Sequence, residues 1–270
     1  MRMKNYIFDL YGTLVDIHTD EGKEELWEKL ALFYGYYNAR YEAKELEKRF
    51  RELISNKEQS RKEELEKKDA IQKQDDVHEA HPEIHIEDVF AALYREKGVE
   101  PDEALSVHTG QFFRVLSTEY VRLYDGVVEL LQALKDQGKK VYLLSNAQRI
   151  FTEYEMHTLD IAKYFDDIFI SSVCGVKKPD ERFYQMLLDK HQLDPKESIM
   201  IGNDAVSDIA GAKAVGLSTF YIHSNISPKL KTHVKKDENG NQVEVEEIPD
   251  ADYVLLHMDL KEVKRILLEL

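Results

Sequence analysis

NYIFDLYGTLVD, residues 5–16, reads as a short buried strand that ends on a carboxylate. Tyr6, Ile7 and Phe8 form an unbroken apolar run, Asp9 follows at once, and Gly12-Thr13 marks a turn just beyond. A strand covered on one face alternates apolar and polar residues. A continuous apolar run implies cover on both faces, as in a parallel sheet held between helical layers. Five more runs have this form: KVYLLSN (140–146), FDDIFISS (165–172), SIMIGND (198–204), STFYIH (218–223) and DYVLLH (252–257). Helical patterns separate them, such as GVVELLQALKDQG (126–138), which carries apolar residues at helical spacing and stops at Gly138, the expected C-terminal cap. The fold class is α/β, a doubly wound, Rossmann-like parallel sheet.

Residues 17–121 follow a different rule. They contain no convincing strand, and from Glu24 to Asp69 the composition is helical throughout. Leu46, Phe50, Leu53 and Ile54 recur at spacings of three and four, one apolar stripe on a charged helix whose other face is read as solvated. Glu63–Lys67 and Glu64–Lys68 are pairs of the kind that support a helix. Pro82 interrupts the pattern and IEDVFAALYREKG (86–98) resumes it. The chain thus divides into an α/β core, residues 1–16 plus 122–270, and an all-helical insertion, 17–121. Near the C-terminus, Asn239-Gly240 between alternating segments signals a hairpin before the last strand.

The 270 residues, 43% hydrophobic, suffice for a substantial core. A formal net charge of -15, with a sequence pI near 5.2, excludes the basic surface that nucleic acid or an anionic membrane requires. Cys174 is the single cysteine, so no intrachain disulfide forms, which fits a reducing compartment. The N-terminus has no apolar signal-peptide core, and no run is long enough to span a membrane. The expectation is a cytoplasmic protein acting on a small molecule, its oligomeric state open.

In an open parallel sheet the useful crevice lies beyond the carboxyl ends of the strands, and four polar clusters fall there. Asp9, beside a tight glycine turn, has the setting of a nucleophile; alone, an Asp-x-x-Gly turn is equally a cap. Ser145-Asn146 can hold anionic oxygens, or be ordinary turn chemistry. Lys178, extended before Pro179, can balance the charge on Asp9, or lie on the surface. Asn203, Asp204 and Asp208 cluster oxygen ligands around one turn, as suits Mg²⁺.

Taken in order, DLYGTLVD, LLSN, KKPDERFY and GNDAVSDIAGAKAVG resemble the haloacid dehalogenase-like hydrolase superfamily. The four motifs cover the whole α/β part. The insertion resembles the C1-type cap of the subfamily holding phosphoglycolate phosphatase-like enzymes and 2-haloacid dehalogenases. The resemblance implies Asp9 as nucleophile, Thr13, Ser145 and Asn146 as substrate ligands, and Lys178 as charge stabiliser. It also implies Mg²⁺ held by Asp9, the Tyr11 carbonyl, Asn203, Asp204 and Asp208.

Two positions depart from the phosphatase pattern. Tyr11 stands where the family's phosphatases carry a second aspartate for general acid-base work, and a phenol with a reference pKa of about 10 is a poor base. Asn203 stands where the fourth motif has its first aspartate. Tyr11, and Tyr184 six residues after Lys178, are similar to the L-2-haloacid dehalogenases, which need no metal. The fourth motif is not, and the cap arginine of those enzymes has only Arg40 as a candidate. The cap offers Trp27, Tyr34, Tyr36 and Tyr37 as further substrate contacts, or as core. The leading expectation is a Mg²⁺-dependent phosphatase with Tyr11 as a catalytic side chain in a reduced role. A metal-independent dehalogenase and a binding module that has kept the fold stand beside it.

Overall fold

The computed structural model describes residues 2–72, 81–236 and 242–270. All six expected runs are strands: β1 (Asn5–Phe8), β4 (Lys140–Ser145), β5 (Asp167–Ile170), β6 (Ser198–Gly202), β7 (Ser218–Ile222) and β10 (Tyr253–Leu255). They form one parallel sheet in the order β10-β7-β6-β1-β4-β5. β1 lies at its centre with cover on both faces. Tyr6 and Phe8 enter a core shared with helices α5 (Val127–Asp136) and α10 (Leu260–Glu269), while Ile7 enters the opposite core with α8 (Glu181–His191). The chain winds outward from β1 through β4 to β5, then restarts beyond β1 at β6. The β1–β6 boundary is therefore the topological switch point, where such sheets open a crevice.

The insertion folds as α1 (Glu24–Tyr36), α2 (Ala43–Gln72), α3 (Ile86–Glu96) and α4 (Glu103–Ser117) around its own aromatic core of Trp27, Tyr34, Phe50, Phe90, Tyr94 and Phe113. Ile150 of α6 (Arg149–Thr158) joins that core from the α/β side. Helix α2 is not a merely solvated charged rod. Leu46 and Phe50 lie in the insertion's core, whereas Leu65 lies in the core around α8. A thirty-residue helix is long enough to span both.

The absence of strands expected across 17–121 needs correcting at both ends. β2 (Val15–Thr19) and β3 (Thr118–Leu123) pair as an antiparallel ribbon that crosses each expected boundary. Asp16 and Arg122 face each other in its register and are joined through two guanidinium nitrogens at 2.9 and 2.7 Å. β8 (Thr232–Lys236) and β9 (Gln242–Glu246) pair antiparallel as a hairpin requires, while Asn239-Gly240 lies outside the described residues. The remaining short helices are α7 (Ser171–Cys174) and α9 (Gly211–Ala214). No helix among the described residues is long and apolar enough to cross a membrane.

One surface cluster gives a pH signature. Asp166 accepts from Lys135 Nζ at 2.6 Å, Lys140 Nζ at 2.9 Å and the Val141 amide at 2.9 Å. Burial pushes its carboxyl up, but the two ammonium groups and the amide outweigh this and hold it at about 2. A depressed carboxylate stabilises the fold above its unfolded pKa, and that stability is lost as pH falls from about 4 toward 2. Asp166→Asn is expected to cost about 1 kcal/mol at pH 7, since Lys140 is exposed and the pairs are screened. In urea titrations the gap between the two proteins should close as pH falls through that window.

Candidate active site

β1 delivers Asp9 to the switch point, where its backbone N–H donates to Ile201 O of β6 at 2.9 Å. The chain then turns sharply: Gly12 has φ +86°, and a Cβ there would meet the Asn203 amide at 2.2 Å. Glycine is thus required at this position both by conformation and by the fourth motif pressed against it. Thr13, fully buried, donates to Asn203 Oδ1 at 3.4 Å.

Lys178 joins three strand ends. Its Nζ donates to Asp9 Oδ1 at 2.8 Å, to Asp208 Oδ1 at 2.6 Å and to Leu144 O, near the end of β4, at 2.8 Å. All three ammonium hydrogens are committed, on a side chain only 1% exposed. Burial alone would lower the Lys178 pKa, but Asp208 and Asp9 more than offset it and the net shift is upward, so the lysine is cationic. For Asp208 burial dominates: it pushes the carboxyl up and Asp9's charge adds to this, against the pull of Lys178 and the Asp204 amide. The other Asp208 oxygen accepts from the Asn203 and Asp204 amides at 3.0 and 2.9 Å. Two buried carboxyl groups thus share one ammonium.

The fourth motif takes its shape from its own residues. Asp204 Oδ1 accepts from the Val206 and Ser207 amides, capping a π-helical turn over Ala205–Ala210 that continues into α9. Such turns carry one extra residue per turn and recur at functional sites. Gly202 lets the turn close, because a Cβ there would lie 2.3 Å from the Asp208 carboxyl. Asn203 Nδ2 donates to Ser227 at 3.2 Å, which leaves its Oδ1 facing Thr13.

The second motif divides its labour. The Asn146 side chain accepts from the Lys178 N–H at 2.8 Å and donates to the Lys178 carbonyl at 2.9 Å, so it holds the backbone of that lysine. Ser145, one residue past the carbonyl that Lys178 grips, is 1% exposed, and its hydroxyl has no hydrogen-bond partner among the described residues. A buried unsatisfied hydroxyl costs about 1–3 kcal/mol, an anomaly unless a ligand oxygen completes it.

Tyr11 is tethered at its far end. Its hydroxyl donates to Glu155 Oε2 at 2.5 Å and lies 3.0 Å from Thr152 Oγ1, both on α6. Arg114 of α4 clamps Glu155 through Nε at 2.6 Å and Nη2 at 3.3 Å. Burial raises the Tyr11 phenol far above its ordinary value; Glu155's charge adds to this and Arg114 opposes it. The Arg114–Glu155 pair left no trace in the sequence, since neither residue sits in a motif or at a strand end. Tyr184 is fully buried, donating to Ser207 O beneath the fourth motif, and so is placed as core. Trp27 and Tyr34 are also core, while Tyr36, Tyr37 and Arg40 are exposed.

The structure therefore brings Asp9, Thr13, Ser145, Asn146, Lys178, Asn203 and Asp208 to one switch point, with Tyr11 beside them and Asp204 at the turn. Among the described residues, no three His, Cys, Asp or Glu side chains converge as a metal site. The oxygens available are two carboxylates, an amide and backbone carbonyls. That set suits Mg²⁺, which takes one or two carboxylates and keeps several waters.

The family model for haloacid dehalogenase-like hydrolases matches residues 3–216, covering every element of this site. A glyceraldehyde 3-phosphate phosphatase of Methanothermobacter thermautotrophicus is 30% identical over 125 residues, 46% of this chain and 54% of that protein. A phosphoglycolate phosphatase of Vibrio vulnificus is 32% identical over 109 residues, 40% of this chain and 47% of that protein. The matches thus span about half the length of these two curated relatives. The crystal structure of a 2-haloacid dehalogenase from Pseudomonas syringae superposes over 99% of both chains with a TM-score of 0.57 at 16% identity, a likeness of fold. With the four strand-end clusters assembled at one switch point and the family model spanning them all, this chain belongs to the haloacid dehalogenase-like hydrolases.

Proposed function

We propose that the chain is a Mg²⁺-dependent phosphatase acting on a small phosphate compound, with residues 17–121 as the cap over a site in the 1–16 plus 122–270 core. The observation that carries this reading is the buried Ser145 hydroxyl, unpartnered among the described residues, on the strand end whose Leu144 carbonyl holds the Lys178 of the Asp9–Lys178–Asp208 cluster. A buried donor next to a carboxylate nucleophile and a fixed ammonium is what a phosphoryl group requires of its surroundings.

In this proposal Asp9 attacks phosphorus and forms an aspartyl-phosphate. Ser145 donates to a phosphoryl oxygen. Lys178, held in register by Asn146, donates to Asp9 Oδ1 and offsets the charge of the incoming group. Asp9, the Tyr11 carbonyl, Asn203 and Asp208 would hold Mg²⁺, which when bound neutralises charge on the transferred group. Asp204 is assigned mainly to capping, because its Oδ1 is already bound to two amides. The phosphatase relatives support the phosphoryl reading; Tyr11 favours a second one, dehalogenation by attack of Asp9 on carbon.

The decisive experiment is a panel of phosphate esters assayed for phosphate release with Mg²⁺ and with EDTA, beside 2-haloacids assayed for halide. Phosphate release that EDTA abolishes is the expected result. Halide release that survives EDTA, without phosphate release, would reject the phosphatase.

A further inference from the structure

Bond cleavage at Asp9 raises a question of proton supply. When Asp9 attacks phosphorus, the P–O bond to the leaving group breaks and its oxygen keeps the electron pair. A proton delivered to that oxygen in the transition state ordinarily contributes about 10²–10⁴-fold for a basic leaving group. The candidate donors around Asp9 can be taken one by one.

Lys178 has three hydrogens and donates all three, to Asp9, Asp208 and Leu144 O. Asp208 accepts from Lys178 on one oxygen and from the Asn203 and Asp204 amides on the other, and in the phosphatase reading it would hold Mg²⁺, which requires its ionised form. Tyr184 donates its hydrogen to the Ser207 carbonyl. Tyr11 stands two residues from Asp9, but a phenol has one hydrogen, and it is donated to Glu155. Thr152 then acts as donor to the Tyr11 oxygen, and Arg114 fixes Glu155 from the opposite side. For Tyr11 to protonate a leaving group it would have to leave a buried carboxylate that is itself held by an arginine. Glu155 and Arg114 are thus positioning residues for Tyr11: they turn the side chain two residues after the nucleophile into a fixed wall.

Resting on the phosphatase reading, we infer that this site takes phosphoryl donors whose leaving group departs as a stable anion, acyl phosphates above all and then phosphate esters of acidic hydroxyls. The first step moves the phosphoryl group from the substrate oxygen to Asp9 Oδ and releases a carboxylate or phenolate, with no proton transferred. In the second, water attacks phosphorus, the P–Oδ bond breaks, the electron pair returns to Asp9, and both of the water's protons leave on the phosphate as dihydrogen phosphate. With Tyr11 in place of a carboxylate two residues after Asp9, that second step is the slower.

The test is kcat/KM with Mg²⁺ across acetyl phosphate, 4-nitrophenyl phosphate and glycerol phosphate, together with the first-turnover burst on 4-nitrophenyl phosphate. Acetyl and 4-nitrophenyl phosphate are expected to exceed glycerol phosphate by at least about 100-fold. A burst should approach one nitrophenolate per chain. Tyr11→Asp, which places a carboxyl where the phenol stands, should narrow the gap at least about tenfold. Glycerol phosphate turned over within about tenfold of the other two would overturn the inference while leaving the phosphatase intact. Phosphate release from none of the three would reject the phosphatase reading and this inference together. The wild-type panel decides even where Tyr11→Asp does not fold.

Discussion

Asp9→Asn is expected to lower phosphate release by at least about 10,000-fold, the scale on which a covalent nucleophile matters when the remaining binding groups stay in place. The substitution preserves shape. The asparagine carbonyl can still accept from Lys178, and Lys178 retains Asp208 and Leu144 O. The substitution exchanges a buried carboxyl for a neutral group of the same shape beside Lys178, so the fold should be as stable as before. The denaturation midpoint therefore separates loss of the nucleophile from loss of structure. A second readout is covalent: labelled acetyl phosphate, quenched in acid, should leave label on the wild-type chain and none on Asp9→Asn. Retention of more than about one hundredth of the rate would assign the nucleophile elsewhere.

How much of this could be read in advance follows from range along the chain. The central sheet was legible because buried parallel strands are written locally, as runs such as Tyr6–Phe8 and Val141–Leu144 that need no partner to be recognised. Asp9, Ser145 and Asn203 were legible for the same reason, standing where such a run ends, whereas Lys178 lies eight residues past β5 with α7 between. The β2–β3 ribbon was not. Its strands alternate in burial, lie about a hundred residues apart, and become strands by pairing with each other. The role of α2 was half legible: its apolar stripe predicts a covered face but cannot say that Leu65 reaches the α/β core. Tyr11 shows the limit most clearly. Its identity was visible, yet its hydroxyl is governed by Glu155, 144 residues away, and through it by Arg114. Asp204 shows a different one, because an acid in a turn serves equally as a ligand or as a cap, and here its oxygen caps Val206 and Ser207.

Lys178→Met is the expected largest loss of stability from a single site. The side chain is 1% exposed and its ammonium compensates two carboxylates, Asp208 at 2% and Asp9 at 11% side-chain exposure. Methionine nearly conserves the volume, so the change tests charge rather than packing. It leaves two like charges buried together and a carbonyl without its donor, and breaking a buried pair in this way costs about 3–5 kcal/mol. Proteins meet such a penalty by protonating a carboxyl instead, and Asp208 is the one to do so, since burial and Asp9 already push its pKa up. Adding Asp208→Asn to Lys178→Met removes one of the repelling charges and should return part of the loss. The urea midpoints of the two single variants and the double variant form a cycle with a coupling of about 1–3 kcal/mol. Loss of less than about 1 kcal/mol in Lys178→Met would mean that the lysine does not hold the site together. Asp9 and Asp208 would then owe their place to the backbone of β1 and to the amides of the fourth motif alone.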